Sequence, residues 1–291
     1  MAISEDAKKW NDLKTWNTIT LKTNQLYPEI GLMTLNRPEK FNAMDAEMIN
    51  DTNECFNFLM RAFDCRVLIL NGAGKLFCSG VDLSFVGADT EGTYEWQKFQ
   101  DRIKKVVQRQ EEIGAMFLNV RKIPQPVIAA VHGAAVGLGI AFTNAADLVF
   151  AGKGTRFINA FIKIGVSGAE CGTSFFLPRI LGFHRSNELL YSGRDFLAEE
   201  AYQWGYVNKI IENPGEVVDS AVEFAAEMML SKSPLGLRFT KDAINAGVGM
   251  KGLEETIRFE NRTQLLAGES TDFQEAIKAF FEKRLPKFGT R

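Results

Sequence analysis

Two glycine-bearing turns hold the residues whose types and spacing best suit chemistry. The first is Cys78-Ser79-Gly80-Val81-Asp82-Leu83, and the second runs from Gly133 through Ala134, Ala135 and Val136 to Gly137-Leu138-Gly139. Glycine lets a backbone turn tightly and present its N–H groups to a ligand. The Gly137-Leu138-Gly139 turn stands where a helix is expected to open. Its N–H groups would then lack intrahelical acceptors and share the positive end of the helix dipole. Donors from two separate segments can hold the negative charge that develops on a carbonyl oxygen. Removing one such donor costs roughly 3–4 kcal/mol of transition-state stabilisation. The competing reading is that these glycines only permit tight turns, and spacing alone leaves both open.

Other uses of the glycines fail on spacing. Asn71-Gly72-Ala73-Gly74-Lys75 lacks the first glycine of a phosphate loop and the Ser/Thr that follows its lysine. The 133–139 segment follows an apolar run as a dinucleotide loop does, but Phe142 stands where the third glycine belongs. Four cysteines, at 55, 65, 78 and 171, include no CxxC pair, and only two histidines accompany them, so no metal site is expected. The thiols read as reduced and partly buried. Lys+Arg is 34 and Asp+Glu is 36, a net charge of −2, which lacks the basic footprint of a nucleic-acid partner. Lys104-Lys105 reads as a solvated helix face. No apolar run reaches the roughly 18 residues of a membrane span. The acidic start, Met1 to Asp6, is unlike a signal or transit peptide, and Phe288-Gly289-Thr290-Arg291 shows no peroxisomal tripeptide. A cytoplasmic location without a membrane partner is the expectation.

The elements that must position these turns follow from the apolar pattern. Residues 1–17 read as a polar, mobile lead-in. Strands are expected at Thr18–Lys22, Ile30–Leu35, Val67–Leu70, Val127–Val131 and Leu148–Ala151. A helix is expected over about 45–62, where Met48, Thr52, Cys55, Phe56, Leu59 and Met60 recur at helical spacing. A long helix over 95–120 carries Trp96, Phe99, Ile103, Val106, Val107, Ile113, Met116, Phe117 and Val120 on one stripe. The alternation of strand and helix predicts an α/β layered domain with mostly parallel pairing. From about 198 onward the pattern is almost wholly helical, with candidate helices at 216–231, 234–246, 252–266 and 271–283. A boundary near 215 divides a 1–215 core from a 216–291 helical region.

These pieces together resemble the crotonase superfamily, the enoyl-CoA hydratase/isomerase fold. The residues that carry the resemblance are Leu35-Asn36-Arg37-Pro38-Glu39-Lys40-Phe41-Asn42-Ala43, Phe77 to Leu83, Pro126 to Gly133, the Gly137/Gly139 turn and Leu177-Pro178-Arg179-Ile180-Leu181-Gly182. The long helical segment, preceded by Asp64-Cys65-Arg66, is most similar to the dienoyl-CoA isomerase branch. The resemblance implies an α/β core of ββα spiral turns and a helical C-terminal region that builds a homotrimer or hexamer. It implies an acyl-CoA substrate, with CoA as a handle and no separate cofactor. It assigns the oxyanion donors to the N–H groups of Val81 and Leu138. It assigns CoA contacts to Lys40, Phe41, Ala43, Ser79, Val81, Asp82 and Leu83, and the adenine end to Phe280 and Lys283, often from a neighbouring subunit.

The chain departs from the resemblance at its acids. The places of the two hydratase glutamates hold Ala141 and Phe161, and the third acid place of a dienoyl-CoA isomerase holds Ala169. Neither alanine nor phenylalanine transfers a proton, so two-glutamate hydration is not expected. Glu170 stands one residue further on, at an offset where a β-diketone hydrolase of the superfamily carries an acid. Glu170 reads either as the catalytic carboxylate or as the cap of a helix at Cys171–Phe176. Glu111 and Glu112 fall where relatives line the pocket, although Arg109-Gln110-Glu111-Glu112 also reads as a solvated face. His132 reads as structural, His184 as an exposed loop residue, and Asp147 matches a structural aspartate of the family. Ser79 and Ser167 have no partner that would make either a nucleophile. The expected reaction is double-bond isomerisation of an acyl-CoA through an enolate, with Glu170 as single base. The alternatives are C–C hydrolysis of a β-dicarbonyl substrate and acyl-CoA binding without catalysis.

Overall fold

Apolar runs with two-residue alternation build the larger of two sheets. In the computed structural model, which describes residues 5–84 and 96–289, strands β3 (Ile30–Leu35), β4 (Val67–Gly72), β5 (Val127–Val131) and β7 (Leu148–Gly152) pair in parallel. β1 (Trp10–Thr15) and β2 (Ile19–Asn24) extend one edge by antiparallel pairing, and β10 (Lys209–Ile211) adds to β7 at the other. The order is β1-β2-β3-β4-β5-β7-β10. Successive side chains of a strand face opposite sides. Leu68 and Leu70 therefore enter one core with Met33, Leu35, Val127 and Ala129, and Val67 and Ile69 enter another with Ile30, Ile128 and Phe150. Both faces are covered, which is why β4 is apolar without interruption.

The first core is roofed by α1 (Ala46–Leu59), α2 (Trp96–Lys122) and α3 (Leu138–Ala145). Asp45 opens α1 by accepting the Met48 N–H at 3.0 Å. Residues Val217, Ala221 and Val222 of a later helix cover the second core. A small sheet of β6 (Ala134–Val136), β8 (Arg156–Ile158) and β9 (Asp195–Leu197) closes the far side of the site. Helices α4 (Thr173–Leu181) and α5 (Phe183–Ser192) lie between β8 and β9, and α6 (Ala198–Gln203) leads from β9 to β10. No described helix is long and apolar enough to cross a membrane.

Three expectations are corrected. Residues 10–15 of the polar lead-in form an edge strand, because an edge needs one paired side and no buried face. The stretch after 198 contains β9's neighbouring turn and the short strand β10, whose single buried residue, Ile211, gives little periodic signal. The stripe of α2 is buried only in its second half. Ile113, Met116, Phe117 and Val120 pack in the core, whereas Ile103, Val106 and Val107 are 45, 47 and 51% exposed, beyond the reach of that core. The side chains of Trp96 and Phe99 lie outside the described residues.

From Val217 onward the chain is helical as expected: α7 (Val217–Phe224), continued by a wider turn over Ala225–Met229, α8 (Pro234–Gly249), α9 (Leu253–Gly268) and α10 (Thr271–Phe281). A buried charge cluster ties α8 to the core. Lys241 Nζ bonds to Asp147 Oδ2 at 2.9 Å and to the carbonyls of Val120 and Gln125 at 2.9 and 2.8 Å. Arg121 takes the other oxygen of Asp147 at 2.7 Å, and the Val127 N–H shares Oδ2 at 2.8 Å. Burial pulls the Lys241 ammonium below its ordinary value, and Asp147 offsets only part of that. Asp147 thus has the structural role expected of it. Further out, Leu253, Leu265, Leu266, Phe280, Phe281 and Leu285 are exposed on or just after α9 and α10.

Candidate active site

Three loops leave the carboxyl ends of the parallel strands β3, β4 and β5 and meet edge to edge. Asn42 locks the first to the second. It is wholly buried with φ 54°, a conformation asparagine tolerates better than most residues. Its Oδ1 accepts the Arg37 N–H at 3.0 Å, and its Nδ2 donates to the carbonyls of Ala73, Leu76 and Phe77 at 2.8, 2.9 and 3.1 Å. Ser79 N–H then bonds to Phe41 O at 3.0 Å, Met44 N–H to Gly80 O at 2.8 Å, and Asp82 N–H to Met44 O at 2.9 Å. This parallel bridge uses the groups on either side of Val81 and turns its own N–H away. The Val81 N–H has no hydrogen-bond partner among the described residues.

The second loop is locked to the third by a bridge between Cys78 and Ala135. Cys78 N–H bonds to Ala134 O at 3.2 Å, and Val136 N–H to Cys78 O at 2.9 Å. Here glycine is required. A Cβ on Gly80, at φ 101°, would lie 3.0 Å from Val136 O, and one on Gly139 would lie 2.6 Å from Cys78 O. Gly137, at φ 53°, faces both the Gly80 Cα and the Phe161 ring at 3.7 Å from its Cβ position. Gly137 also caps α3 without a side chain, and its N–H bonds to Ile158 O at 2.9 Å. Leu138, the first helical residue, has an N–H with no partner among the described residues. Two free N–H groups on apposed turns, one at a helix N-terminus, can hold an oxyanion.

Around these donors the lining is apolar. Ala141 and Phe161 are buried beside the Gly137 turn, and Ala169 is exposed on the loop beyond. The thiol of Cys78 donates to Asn42 O at 3.2 Å and accepts the Gly80 N–H at 3.4 Å. Burial pushes it up to about 12, so it stays protonated and inert. His132 Nε2 donates to Gly74 O at 3.0 Å, a structural tie. His184 is exposed, in the first turn of α5 rather than a loop.

Glu170 is half-buried, and its side chain does not cap a helix. The helix begins at Thr173, with Gly172 as its cap and no side-chain bond. Instead Thr173, fully buried, clips the backbone of this loop. Its N–H bonds to Glu170 O at 2.9 Å. Its Oγ1 accepts the Glu170 N–H at 3.1 Å and donates to Gly168 O at 3.2 Å. Asn159 Nδ2 adds a bond to Gly168 O at 2.8 Å. Among the described residues the Glu170 carboxylate accepts one hydrogen bond, from Gln110 Nε2 to Oε1 at 2.7 Å. Of the α2 residues expected near the pocket, Glu111 and Glu112 are exposed, and Glu112 Oε1 accepts from Gln108 at 2.8 Å. Gln110 was missed in the sequence because an amide in a charged stretch carries no signal of its partner.

The residues expected to meet CoA fall into two groups. Lys40, Phe41, Ala43, Ser79, Asp82 and Leu83 lie together on the paired 40–44 and 79–83 segments. Arg37 braces this rim: it bonds to Ala43 O, pairs with Asp45 at 3.0 Å and reaches Asp82 at 3.5 Å. The Ser84 hydroxyl, and then Arg37, hold the Asp82 carboxyl below its ordinary range. Phe280 and Lys283 stand apart at the end of α10. No hydrogen bond, ion pair or ring contact joins them to the rim among the described residues.

Paired parallel strands, loops locked at their carboxyl ends and free N–H groups on two glycine turns define an acyl-chemistry site on an α/β core. Residues 26–291 match the family described as enoyl-CoA hydratase/isomerase, and the chain belongs to it. It is an enzyme of that family, with the crotonase fold. The chain is 33% identical over 262 residues to the 1,2-epoxyphenylacetyl-CoA isomerase of Escherichia coli (strain K12), covering 89% of this chain and 95% of that one. It is 33% identical over 226 residues to the mitochondrial Delta(3,5)-Delta(2,4)-dienoyl-CoA isomerase of Homo sapiens, covering 76% and 67%. The crystal structure of an enoyl-CoA hydratase from Bacillus anthracis superposes with a TM-score of 0.84 at 26% identity, covering 94% of this chain and 100% of that one.

Proline at Leu138, the first position of α3, removes the N–H where a helix tolerates the ring, and Leu138→Ala controls for the loss of the buried side chain. Leu138→Pro is expected to lower enoyl-CoA turnover by roughly 10²–10³-fold, and Leu138→Ala to leave most of it. A folded Leu138→Pro enzyme with wild-type turnover would exclude this turn from holding the reacting carbonyl.

Proposed function

We propose that this enzyme moves the double bond of an enoyl-CoA thioester through an enolate, with Glu170 as its single base. The thioester oxygen sits between the N–H groups of Val81 and Leu138. The Glu170 carboxylate removes a proton from C2 of a 3-enoyl-CoA, and the electron pair delocalises over the dienolate onto that oxygen. The resulting carboxylic acid returns the proton to C4 as the charge collapses, leaving the double bond between C2 and C3. Nothing is added or lost, so one carboxylate suffices. Hydration needs an activated water and a proton donor, and Ala141 and Phe161 supply neither.

The observation that carries this reading is a carboxylate with one oxygen free of hydrogen bonds among the described residues, in a chain whose Gly137 turn is flanked by the apolar Ala141 and Phe161. Ala141 and Phe161 bury the Gly137 turn, while Glu170 keeps Oε2 without a hydrogen bond among the described residues. The relatives' names give independent support, since isomerases occur among them at 33% identity. Lys40, Phe41, Ala43, Ser79, Asp82 and Leu83 form the rim for the CoA moiety. Phe280 and Lys283 reach the adenine end from a neighbouring copy, which their exposure and distance from the rim of their own chain favour. The exposed Leu253, Leu265, Leu266, Phe280 and Phe281 are covered in a homotrimer or hexamer.

With trans-3-hexenoyl-CoA as probe, the wild type is expected to form the 2-enoyl isomer and to carry deuterium from C2 to C4. Crotonyl-CoA hydration should be slow by comparison. Glu170→Gln should lose roughly 10²–10⁴-fold in turnover and keep its affinity for acyl-CoA. Rapid crotonyl-CoA hydration, or an undiminished Glu170→Gln rate, would refute the single-base mechanism.

Light scattering at micromolar concentration is expected to give three or six times the chain mass. A monomer would contradict both the proposed assembly and a CoA site completed by a neighbour.

A further inference from the structure

The Glu170 loop has its backbone fixed from within and its side chain fixed from outside. Thr173 and Asn159, both wholly buried, hold the carbonyls and N–H of 168–170. They leave the side-chain torsions of Glu170 free. Left to itself, a half-exposed glutamate exchanges among rotamers. Among the described residues the one hydrogen bond to its carboxylate comes from Gln110 on α2, sixty residues away in sequence, at 2.7 Å. A carboxylate only accepts, so the amide must present its N–H here.

We infer that Gln110 is a positioning residue that holds Glu170 Oε1 and thereby aims Oε2 at the reacting carbons. The inference rests on the reading of Glu170 as the base. Three features support it. Gln110 is carried one turn before Ile113, which packs with Met116 and Phe117 in the core, so the donor stands on a rigid element. Nearby on α2, Glu112 is engaged elsewhere, accepting from Gln108 at 2.8 Å. Finally, the donor is neutral. A lysine or arginine in its place would stabilise the carboxylate and oppose proton uptake. An amide can keep its bond to Oε1 whether Oε2 is ionised or protonated, so the base is held in one orientation through removal and return of the proton.

The test compares wild type, Gln110→Met and Glu170→Gln with trans-3-hexenoyl-CoA, together with the melting temperature of each. Methionine keeps length and bulk and removes the donor, at an exposed position where folding is not at stake. Misplacement of a catalytic group by about 1 Å can cost roughly 10²-fold. Gln110→Met is therefore expected to lose about 10- to 100-fold in kcat, with KM and Tm unchanged. Wild-type kcat in Gln110→Met beside an inactive Glu170→Gln would overturn the positioning role and leave the base in place. A parallel change of KM or Tm would make Gln110 merely structural. An active Glu170→Gln, or a wild type that leaves the probe unchanged, would overturn the base reading and this inference with it.

Discussion

Gly80 and Gly137 approach each other so closely that a Cβ on either would lie 3.7 Å from the other's Cα, and the site is arranged around that approach. Each has positive φ, and each would bring a Cβ onto the other loop's backbone or close to it. The loops touch there, and Val81 and Leu138, the residues that follow, each carry an N–H with no hydrogen-bond partner among the described residues. Substituting either glycine would impose strain at the turn itself, since L side chains rarely adopt such φ values. The buried bonds behind the turns serve this contact. Asn42 joins the first loop to the second, and the Cys78–Ala135 bridge joins the second to the third.

The chemistry follows from what surrounds those N–H groups. Backbone donors are fixed by the fold and independent of side-chain identity, so the two free N–H groups would survive a change in the lining. Proton transfer does depend on the lining, and the Ala141 and Phe161 side chains, buried by the Gly137 turn, carry no exchangeable proton. The remaining carboxylate, Glu170, comes from a loop clipped by Thr173 and steadied by Gln110. In the proposed mechanism, backbone charge stabilisation and a single base suit a reaction that begins and ends with the same proton.

Much of this was legible in the sequence, for physical reasons. The buried parallel strands are continuous apolar runs, and the glycine turns are marked by residues that nothing else can replace. The long helix was legible as an element but not in its exposure. Ile103, Val106 and Val107 continue the stripe of Ile113 to Val120, and periodicity cannot say where the packing partner ends. The edge strand Trp10–Thr15 has no buried face to create a pattern, and β10 is too short for one. Gln110 and Thr173 act through three-dimensional contacts between segments that sequence spacing does not relate.

The central claim is that Val81 and Leu138 polarise a thioester carbonyl. Isotope-edited infrared difference spectroscopy of trans-2-hexenoyl-CoA, labelled with ¹³C at the thioester carbon, reads that bond directly. Two N–H donors in a water-poor site should move the carbonyl stretch of the bound ligand to lower wavenumber than in water. The shift should persist in Glu170→Gln, which keeps both donors, and shrink in Leu138→Pro, which keeps one. A bound ligand whose carbonyl band stays at its position in water would contradict the account.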